Sequence, residues 1–252
     1  MKGIFISVRT NSTRLPNKAL LDLCGKPTIQ YLIDNLKRSL QADKIILCTS
    51  TLSEDKALCD IADSSGIDFF QGSLEDKLLR WSGACEKFNI DFFVNVDGDD
   101  LFFDHGLADL VFKQYDNTNA DFIDGRGLYN DVYGISKKGL HKALDNKESS
   151  DTEFIKLYFD NVKNFITTEK ILDVPLKYQK KQVRLTLDYI EDLEFFTAVI
   201  SRFKKVRADL SFENIMLYLE KNPSVVNINW HREQNWKDNQ INMIKRMKNE
   251  GL

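Results

Sequence analysis

Histidine, cysteine and proline are scarce in this chain, which has three, four and four of them among 252 residues. The cysteines are scattered and form no C-x-x-C pair, so we expect reduced and mostly buried thiols rather than disulfides. With so few histidines, the sequence gives little support for a zinc site. The cysteines are Cys24, Cys48, Cys59 and Cys85.

The chain also lacks a long apolar run and a strong net charge. No stretch approaches the roughly 20 apolar residues that a membrane-spanning helix needs, and the first residues do not have the layout of a signal peptide. We therefore expect a cytoplasmic protein without membrane contact. Lysine and arginine number 35 against 38 acidic residues, a net charge of −3. This balance provides no general attraction for nucleic acid, so any anion site must be local.

Short apolar runs alternate with segments of helical periodicity along most of the chain. Strands are predicted at 3–8, 44–48, 67–70, 91–96 and 182–188. Helices are predicted at 27–40, 54–65, 76–88, 104–115, 189–203 and 211–221. Alternation of this kind predicts an α/β fold of three layers with a mostly parallel central sheet.

Two regions depart from this alternation. Between residues 120 and 151 the pattern loosens and glycine recurs, which is typical of a substrate lip or of an excursion away from the sheet. After residue 228 the chain is polar, and a docking arm and a partly disordered end are both open. The sequence thus predicts a single domain over 1–228 and a C-terminal tail over 229–252.

A basic loop, residues 9–18, directly follows the first predicted strand. It contains Arg9, Arg14 and Lys18 together with small hydrogen-bonding side chains such as Ser12. Arginine forks, a lysine point charge, hydroxyls and free backbone N–H groups together make an anion cradle. The loop lacks the spacing of a P-loop or of a dinucleotide fingerprint. Polyphosphate binding and a solvated basic connection are the two interpretations of this loop.

Acidic residues follow two of the predicted strands. The segment Asp97-Gly-Asp-Asp100 comes after the strand at 91–96, and Asp188 ends the strand predicted at 182–188. Carboxylates are ligands that Mg²⁺ prefers, and substrate phosphates often complete its shell. The alternative interpretation is structural: the segment that begins at Asp97 would form a turn and Asp188 would cap a helix, and neither role requires a metal.

The basic loop and the acidic strand ends together narrow the chemistry. In α/β sheets, ligands collect outside the carboxyl ends of the strands, where these residues would meet. Cations there can neutralise a departing pyrophosphate, and Mg²⁺ can bridge phosphate oxygens. The combination favours metal-assisted nucleotidyl transfer, which requires no protein nucleophile.

Six segments resemble the cytidylyltransferases that activate acidic sugars. The group includes the 3-deoxy-manno-octulosonate and acylneuraminate enzymes. The residues of these segments are most similar to those of the spore-coat polysaccharide SpsF-like branch. The resemblance runs from residue 4 to about residue 228. The segments are 9–18, Leu23-Cys-Gly-Lys-Pro27, Phe70-Gln-Gly-Ser73, Gly98-Asp99, Arg184-Leu-Thr-Leu-Asp188 and Glu220-Lys-Asn-Pro223.

This resemblance implies a Rossmann-like nucleotidyltransferase domain that uses CTP and Mg²⁺, releases pyrophosphate and forms a CMP-linked product. The residues that it would place on the triphosphate are Arg9, Ser12, Arg14 and Lys18. Asp99 and Asp188 would coordinate magnesium, with Arg14, Lys18 and Asp99 as the catalytic group. Gln71, Gly72 and Ser73 would line the cytosine pocket. The resemblance also implies a homodimer, for which residues 131–173 are the candidate surface.

The sequence departs from the family pattern beside Asp99. The family usually has a proline after its Gly-Asp pair and one further residue, whereas Leu101 and two phenylalanines follow here. Asp97 takes the place of a glutamine in the octulosonate enzymes, so it is expected either to add a metal ligand or to repel an acidic substrate. Arg126 is the best candidate for binding an acceptor carboxylate, since arginine can grip it with two parallel bonds, although an exposed turn residue is the alternative.

Three functions remain open from the sequence. The leading hypothesis is transfer of CMP from CTP to an acidic sugar for surface-polysaccharide assembly. A phosphate or phosphonate acceptor would instead give a diphosphate-linked product. The third hypothesis is a nucleotide-binding subunit without catalysis, which the altered surroundings of Asp99 suggest.

Overall fold

A computed structural model describes residues 1–147, 149, 152, 154–179 and 182–249. Nine strands and ten α-helices lie within these residues. The strands are β1 (Lys2–Ser7), β2 (Asp22–Leu23), β3 (Lys26–Pro27), β4 (Lys44–Ser50), β5 (Asp68–Gly72), β6 (Phe92–Asp97), β7 (Phe122–Gly125), β8 (Val132–Ser136) and β9 (Thr168–Lys170).

The helices follow the strands in near alternation over the first half of the chain. They are α1 (Thr28–Leu36), α2 (Lys56–Ser64), α3 (Lys77–Phe88), α4 (His105–Thr118), α5 (Lys137–Asp145), α6 (Ile155–Asn161), α7 (Ile190–Val206), α8 (Phe212–Lys221), α9 (Pro223–Val226) and α10 (Arg232–Asn249). Short 3₁₀ turns lie at Lys18–Leu20, Ser53–Asp55 and Leu176–Tyr178. The helices and strands predicted before residue 118 are thus confirmed, with shifts of a few residues at their ends.

Seven strands of the described chain form a central sheet in the order β5-β4-β1-β6-β8-β7-β9. All neighbouring pairs are parallel except those of β8, which runs antiparallel to β6 and β7. The chain leaves β1 for β4 and β5 on one side and then crosses to β6 on the other. The strand order therefore reverses between β1 and β6, which is where open α/β sheets form their ligand crevice.

Helices cover both faces of this sheet because successive side chains of a buried strand point to opposite faces. Ile4 and Ile6 of β1 join a core that includes residues of α1, α4 and α7. Phe5, between them, joins a second core with Trp81 of α3 and with residues of α5 and α6. Three layers result, as predicted from the alternation of elements.

The strand predicted at 182–188 is wrong, because the structure has no strand in these residues. Leu185 and Leu187 are buried and account for the apolar pattern. Their burial comes from packing rather than from a ladder. Leu187 nevertheless donates its backbone N–H to Asp99 O at 2.9 Å, so this extended segment passes directly beside the end of β6.

The loosely patterned region at 120–151 contributes more to the sheet than its sequence indicates. It supplies β7 and β8, and β8 lies next to β6 near the sheet centre. Part of the predicted excursion, residues 131–173, is therefore sheet. Residues 148, 150, 151 and 153 of that range lie outside the described residues. None of the helices in the described part of the chain is long and apolar enough to cross a bilayer.

Candidate active site

The basic loop begins at a buried carboxylate that fixes the ends of two strands. Asp55 is 1% exposed. Its Oδ1 accepts hydrogen bonds from Thr10 N at 2.8 Å and Thr10 Oγ1 at 2.6 Å. Its Oδ2 accepts from Thr49 Oγ1 at 2.9 Å and from the backbone and hydroxyl of Ser50. The Asp55 carboxylate thus ties the loop after β1 to the end of β4.

The loop then turns back on itself before Lys18. Asn17 adopts a left-handed conformation with φ of 55°, which asparagine tolerates better than most residues. Its N–H donates to Thr10 O at 3.2 Å, closing the loop. Thr28, the first residue of α1, donates its hydroxyl to Lys18 O. These contacts fix the backbone from which the Lys18 side chain extends.

Lys18 lies between the two carboxylates that the sequence singled out as metal ligands. Its Nζ is 2.5 Å from Asp99 Oδ2 and 2.9 Å from Asp188 Oδ1. Burial opposes the charge of Lys18, but the carboxylates of Asp99 and Asp188 outweigh it and raise the lysine pKa. Arg14 Nη2 also donates to Asp188 Oδ1. The tertiary structure therefore brings together Arg14, Lys18, Asp99 and Asp188 from three separate segments of the chain.

A glycine allows the acidic loop to lie this close to β1. Gly98 donates its N–H to Ser7 O at 2.9 Å. A Cβ atom at Gly98 would lie 2.6 Å from the Cβ of Val8, which is too close for any side chain. The close approach places Asp99 directly beside the loop that carries Lys18. Steric exclusion of a side chain at position 98 therefore explains why a glycine precedes Asp99.

Asp188 carries a lowered pKa despite its burial. Burial raises its pKa, but the positive charges of Lys18 and Arg14 and the hydrogen bond from Arg14 outweigh that effect. Arg184 contributes a further hydrogen bond, from Nη2 to Asp188 Oδ2 at 3.0 Å. Asp188 is therefore an ionised carboxylate with both oxygens already oriented.

Asp99 and Asp100 show the opposite shift from Asp188, because their pKa values are raised. Burial raises the pKa of Asp99, and the neighbouring charges of Asp188 and Asp97 add to it while Lys18 opposes them. Burial and the charges of Asp99 and Asp97 raise the pKa of Asp100 well above its ordinary value, although a hydrogen bond from Asn130 opposes the rise. Negative charge is thus in excess on this loop.

Asp97 is paired with a residue that the sequence reasoning missed. Lys77, in the first turn of α3, places its Nζ 2.6 Å from Asp97 Oδ1. The same ammonium lies 5.3 Å from the ring centroid of Trp81, within range of a cation–π contact. Asp97 is only partly buried, and Lys77 outweighs the desolvation of its carboxylate and lowers its pKa. No local pattern links a helix residue to a strand end, so the pairing could not be predicted.

The residues expected around cytosine lie at the end of β5, on the same sheet edge. Gln71 Nε2 donates to Ser50 O at 3.1 Å, and the Ser73 carbonyl accepts from Arg80 at 2.6 Å. Gly72 packs against Phe70 and Arg80 so closely that a Cβ atom would clash. Arg9 Nη1 donates to Leu74 O at 2.6 Å and joins this turn to the basic loop. Ser12 lies partly buried in the middle of that loop.

Arg126 lies at the end of β7, two strands beyond β6 on the same edge. Its Nε donates to Asp124 Oδ1 at 2.6 Å, and its Nη2 donates to Asp124 Oδ2. Lys170 also pairs with Asp124, at 3.1 Å. Arg126 therefore uses one edge of its guanidinium to hold Asp124, and it is not brought into contact with Asp99 or Lys18.

The donor set suits a magnesium ion that is completed by substrate. No cluster of three or more acidic, histidine or cysteine side chains that could hold a metal exists among the described residues. Asp99 and Asp188 do converge on one cation, the Lys18 ammonium. Mg²⁺ is commonly held by one or two carboxylates plus phosphate oxygens and water. Two converging carboxylates in a basic cradle therefore fit this metal.

Comparison with known proteins assigns the chain that carries this site to a family. The sequence model described as cytidylyltransferase matches residues 4–216. The uncharacterised protein MJ1063 of Methanocaldococcus jannaschii is 30% identical over 89% of this chain and 92% of its own length. The spore coat polysaccharide biosynthesis protein SpsF of Bacillus subtilis is 25% identical over 86% of this chain and 93% of its own.

A more distant relative and a solved structure agree with this assignment. The 3-deoxy-manno-octulosonate cytidylyltransferase of Trichlorobacter lovleyi is 28% identical over 61% of this chain and 59% of its own. A solved cytidylyltransferase structure from Leptospira borgpetersenii superposes with a TM-score of 0.78 and 25% identity, over 89% of this chain and 96% of that one.

The fold and the two oppositely charged loops at its switch point define a Rossmann-like nucleotidyltransferase enzyme. The chain belongs to the cytidylyltransferase family, whose sequence model covers well over half of its length.

Proposed function

We propose that this protein is a magnesium-dependent cytidylyltransferase that transfers CMP from CTP to an acidic sugar, releases pyrophosphate and serves surface-polysaccharide synthesis. The observation that carries the proposal is the Lys18 ammonium held between Asp99 and Asp188. The same site thus holds carboxylates for a metal and a cation for phosphate. The names of the SpsF and octulosonate relatives support the polysaccharide context and the acidic acceptor.

The residues of the basic loop would bind the triphosphate of CTP. Arg9, Ser12, Arg14 and Lys18 supply planar forks, a hydroxyl and a point charge, which match phosphate oxygens. Lys18 and Arg14 would exchange their bonds to Asp188 for bonds to phosphate. Gln71, Gly72 and Ser73 would line the cytosine pocket at the end of β5.

Asp99 and Asp188 would hold Mg²⁺, which when bound supplies charge neutralisation at the reacting phosphate. An acceptor hydroxyl oxygen would attack the α-phosphorus, and the bond from that phosphorus to the bridging oxygen of pyrophosphate would break. The hydroxyl proton would leave to solvent. Arg14 and Lys18 would stabilise the negative charge that grows on the leaving pyrophosphate.

The acceptor would enter on the β6–β7 side of the crevice, where Arg126 lies. With Asp124 held along one edge, the Arg126 guanidinium is fixed in orientation, and its remaining nitrogen could bind an acceptor carboxylate. Such preorganisation favours binding because less side-chain freedom is lost.

A pyrophosphate-release assay with an acceptor panel tests the function. The panel would contain 3-deoxy-acid sugars, acylneuraminates, neutral sugars, sugar phosphates and phosphonates, each with CTP and Mg²⁺. Release with acidic sugars only, and with CTP in preference to UTP, is the expected result. Release with phosphates or phosphonates only would show that the acceptor is a phosphate or phosphonate compound and not an acidic sugar. Stabilisation by CTP without release from any acceptor would instead favour a non-catalytic binding role.

We also propose a homodimer formed through the far edge of the sheet. β9 is the last strand of the sheet, and it leaves one side without a strand neighbour among the described residues. Exposed apolar side chains flank it, namely Phe165 at 64%, Leu172 at 57% and Leu176 at 77% exposed. Exposed apolar side chains beside an unpaired strand edge are typical of an association surface.

Light scattering after size exclusion tests the dimer. Phe165→Ser with Leu176→Ser should convert a dimer of about twice the 29.2 kDa chain to a monomer. Leu40→Ser is the matched control, because Leu40 is 86% exposed but lies in the connection between α1 and β4. A wild-type protein that elutes as a monomer would refute the dimer.

A further inference from the structure

Asp192 in the first turn of α7 accepts five hydrogen bonds behind Asp188. It is fully buried. Its Oδ2 accepts from the backbone N–H of Asp188 at 2.8 Å and of Tyr189 at 2.9 Å. Its Oδ1 accepts from Arg184 Nε at 2.8 Å. The Asp192 carboxylate therefore fixes both the backbone of Asp188 and the arginine that touches it.

Arg184 connects Asp192 to the side chain of Asp188. Its Nη2 lies 3.0 Å from Asp188 Oδ2 and 3.1 Å from Asp192 Oδ2. The Arg184 side chain has no exposure to solvent. A buried guanidinium is costly unless it is paired, so it needs carboxylate charge from these two residues. Because Asp192 also pairs with Arg184, the guanidinium does not depend on the negative charge of Asp188 alone.

The C-terminal segment closes this network from the other side. Asn229 is fully buried, and its Nδ2 donates to Asp192 Oδ1 at 2.9 Å and to Arg184 O at 3.2 Å. Glu233, at the start of α10, lies 3.6 Å from Arg184 Nη1. Residues after 228 thus contact the support of Asp188, although their sequence reads as a polar tail.

We propose that Asp192 and Asn229 are positioning residues that hold Asp188 ready to bind a divalent cation. The inference rests on the proposed function, in which Asp188 is a metal ligand. Groups that hydrogen-bond to a metal ligand orient it and tune its charge, and their loss commonly weakens metal binding about 10- to 100-fold. Without Asp192, only Asp188 and the more distant Glu233 would remain to pair with the buried Arg184, which would then compete with the metal for the Asp188 carboxylate.

A helix cap is the simpler role for Asp192, because its bond from Tyr189 N satisfies a free donor at the start of α7. A cap alone would affect folding stability but not metal affinity. It would also have no need of Arg184 or Asn229. Metal affinity and stability must therefore be measured separately.

The test measures Mn²⁺ binding by electron paramagnetic resonance in the presence of a CTP analogue with a methylene group between the α- and β-phosphates. The variants are Asp192→Asn and the milder Asn229→Ala, which keeps every carboxylate. Asp121→Asn is the matched control, because Asp121 is also a buried carboxylate. It accepts hydrogen bonds from Ser136, Lys138 and Thr167 N at the amino end of β7, opposite the carboxyl strand ends that form the site. Melting temperatures are recorded for all four proteins.

We expect Asp192→Asn to raise the half-saturating Mn²⁺ concentration about 10- to 100-fold, and Asn229→Ala to raise it by a smaller factor. Asp121→Asn should lower the melting temperature and leave Mn²⁺ binding unchanged. If Asp192→Asn does not fold, Asn229→Ala decides the question. Wild-type Mn²⁺ affinity in both variants would overturn the inference while the proposed function stands. Absence of metal-dependent nucleotide binding in the wild type would overturn both.

Discussion

The ammonium group of Lys77 lies 2.6 Å from Asp97 Oδ1, although the two residues are 20 positions apart and belong to a helix and a strand. The Lys77 side chain is 10% exposed and that of Asp97 is 48% exposed. Asp97 is thus neither a free carboxylate nor paired with Lys18. Its pairing with Lys77 reduces the repulsion of an acidic substrate, which is one of the two roles that the sequence leaves open for Asp97.

Lys77→Met should therefore lower kcat/KM, because it leaves the negative charge of Asp97 unpaired beside Asp99. We expect a loss of about tenfold, or ~1.4 kcal/mol, as for one partly screened charge near a polyanion. Steady-state kinetics with CTP and the acceptor measure it. The Lys77→Met/Asp97→Asn double variant should recover most of the loss, since both charges are removed. A double variant as slow as the single one would contradict this explanation.

Lys18→Ala removes the cation that we place on the triphosphate. A charge-assisted contact of ~1.5–3 kcal/mol corresponds to a loss of about ten- to hundredfold in kcat/KM. Lys26→Ala is the control, because Lys26 forms a surface pair with Asp34 and is 46% exposed. Unchanged kinetics in Lys18→Ala would remove Lys18 from the phosphate site.

Asp99→Asn should nearly abolish activity while the melting temperature changes little. The amide keeps the shape of the side chain but not the charge that a metal requires. Pyrophosphate release and thermal unfolding are measured on the same preparation. A large loss of stability with residual activity would show that Asp99 is structural.

Asp55 should make stability depend on pH in the acidic range. Burial raises its pKa, but hydrogen bonds from Ser50 and Thr10 outweigh burial and hold the pKa below its ordinary value. The ionised form is thus favoured by folding, so its stabilisation is present above the unfolded pKa, about 3.9, and is lost as pH falls below it. We expect Asp55→Asn to lower the free energy of unfolding by about 2–3 kcal/mol at pH 7.

Urea unfolding of both proteins between pH 7 and pH 3 measures this effect. The difference between wild type and Asp55→Asn should shrink as pH falls. Because Asp55 fixes Thr10, the variant should also raise KM for CTP. A difference in stability that is constant with pH would mean that packing, and not the charge, is responsible.

The first half of the fold could be predicted from the sequence because each element carries its own local signal. β1, β4 and β6 are apolar runs, and α1, α3 and α4 have helical periodicity, so their positions along the chain and their buried faces follow from pattern alone. The same local signal misled at 182–188. Leu185 and Leu187 are buried by packing without a strand partner, and a single sequence does not distinguish the two kinds of burial.

The sequence by itself determined the chemistry available to this protein: a basic loop after the first strand and carboxylates after a central one. Only the tertiary structure decided which charges meet. Lys18 reaches Asp99 over 81 residues and Asp188 over 170, and Asn229 reaches Asp192 over 37. Such pairings depend on strand order and on the path of the C-terminal segment. Local periodicity specifies which face of an element is buried, but not which distant residue lies against it.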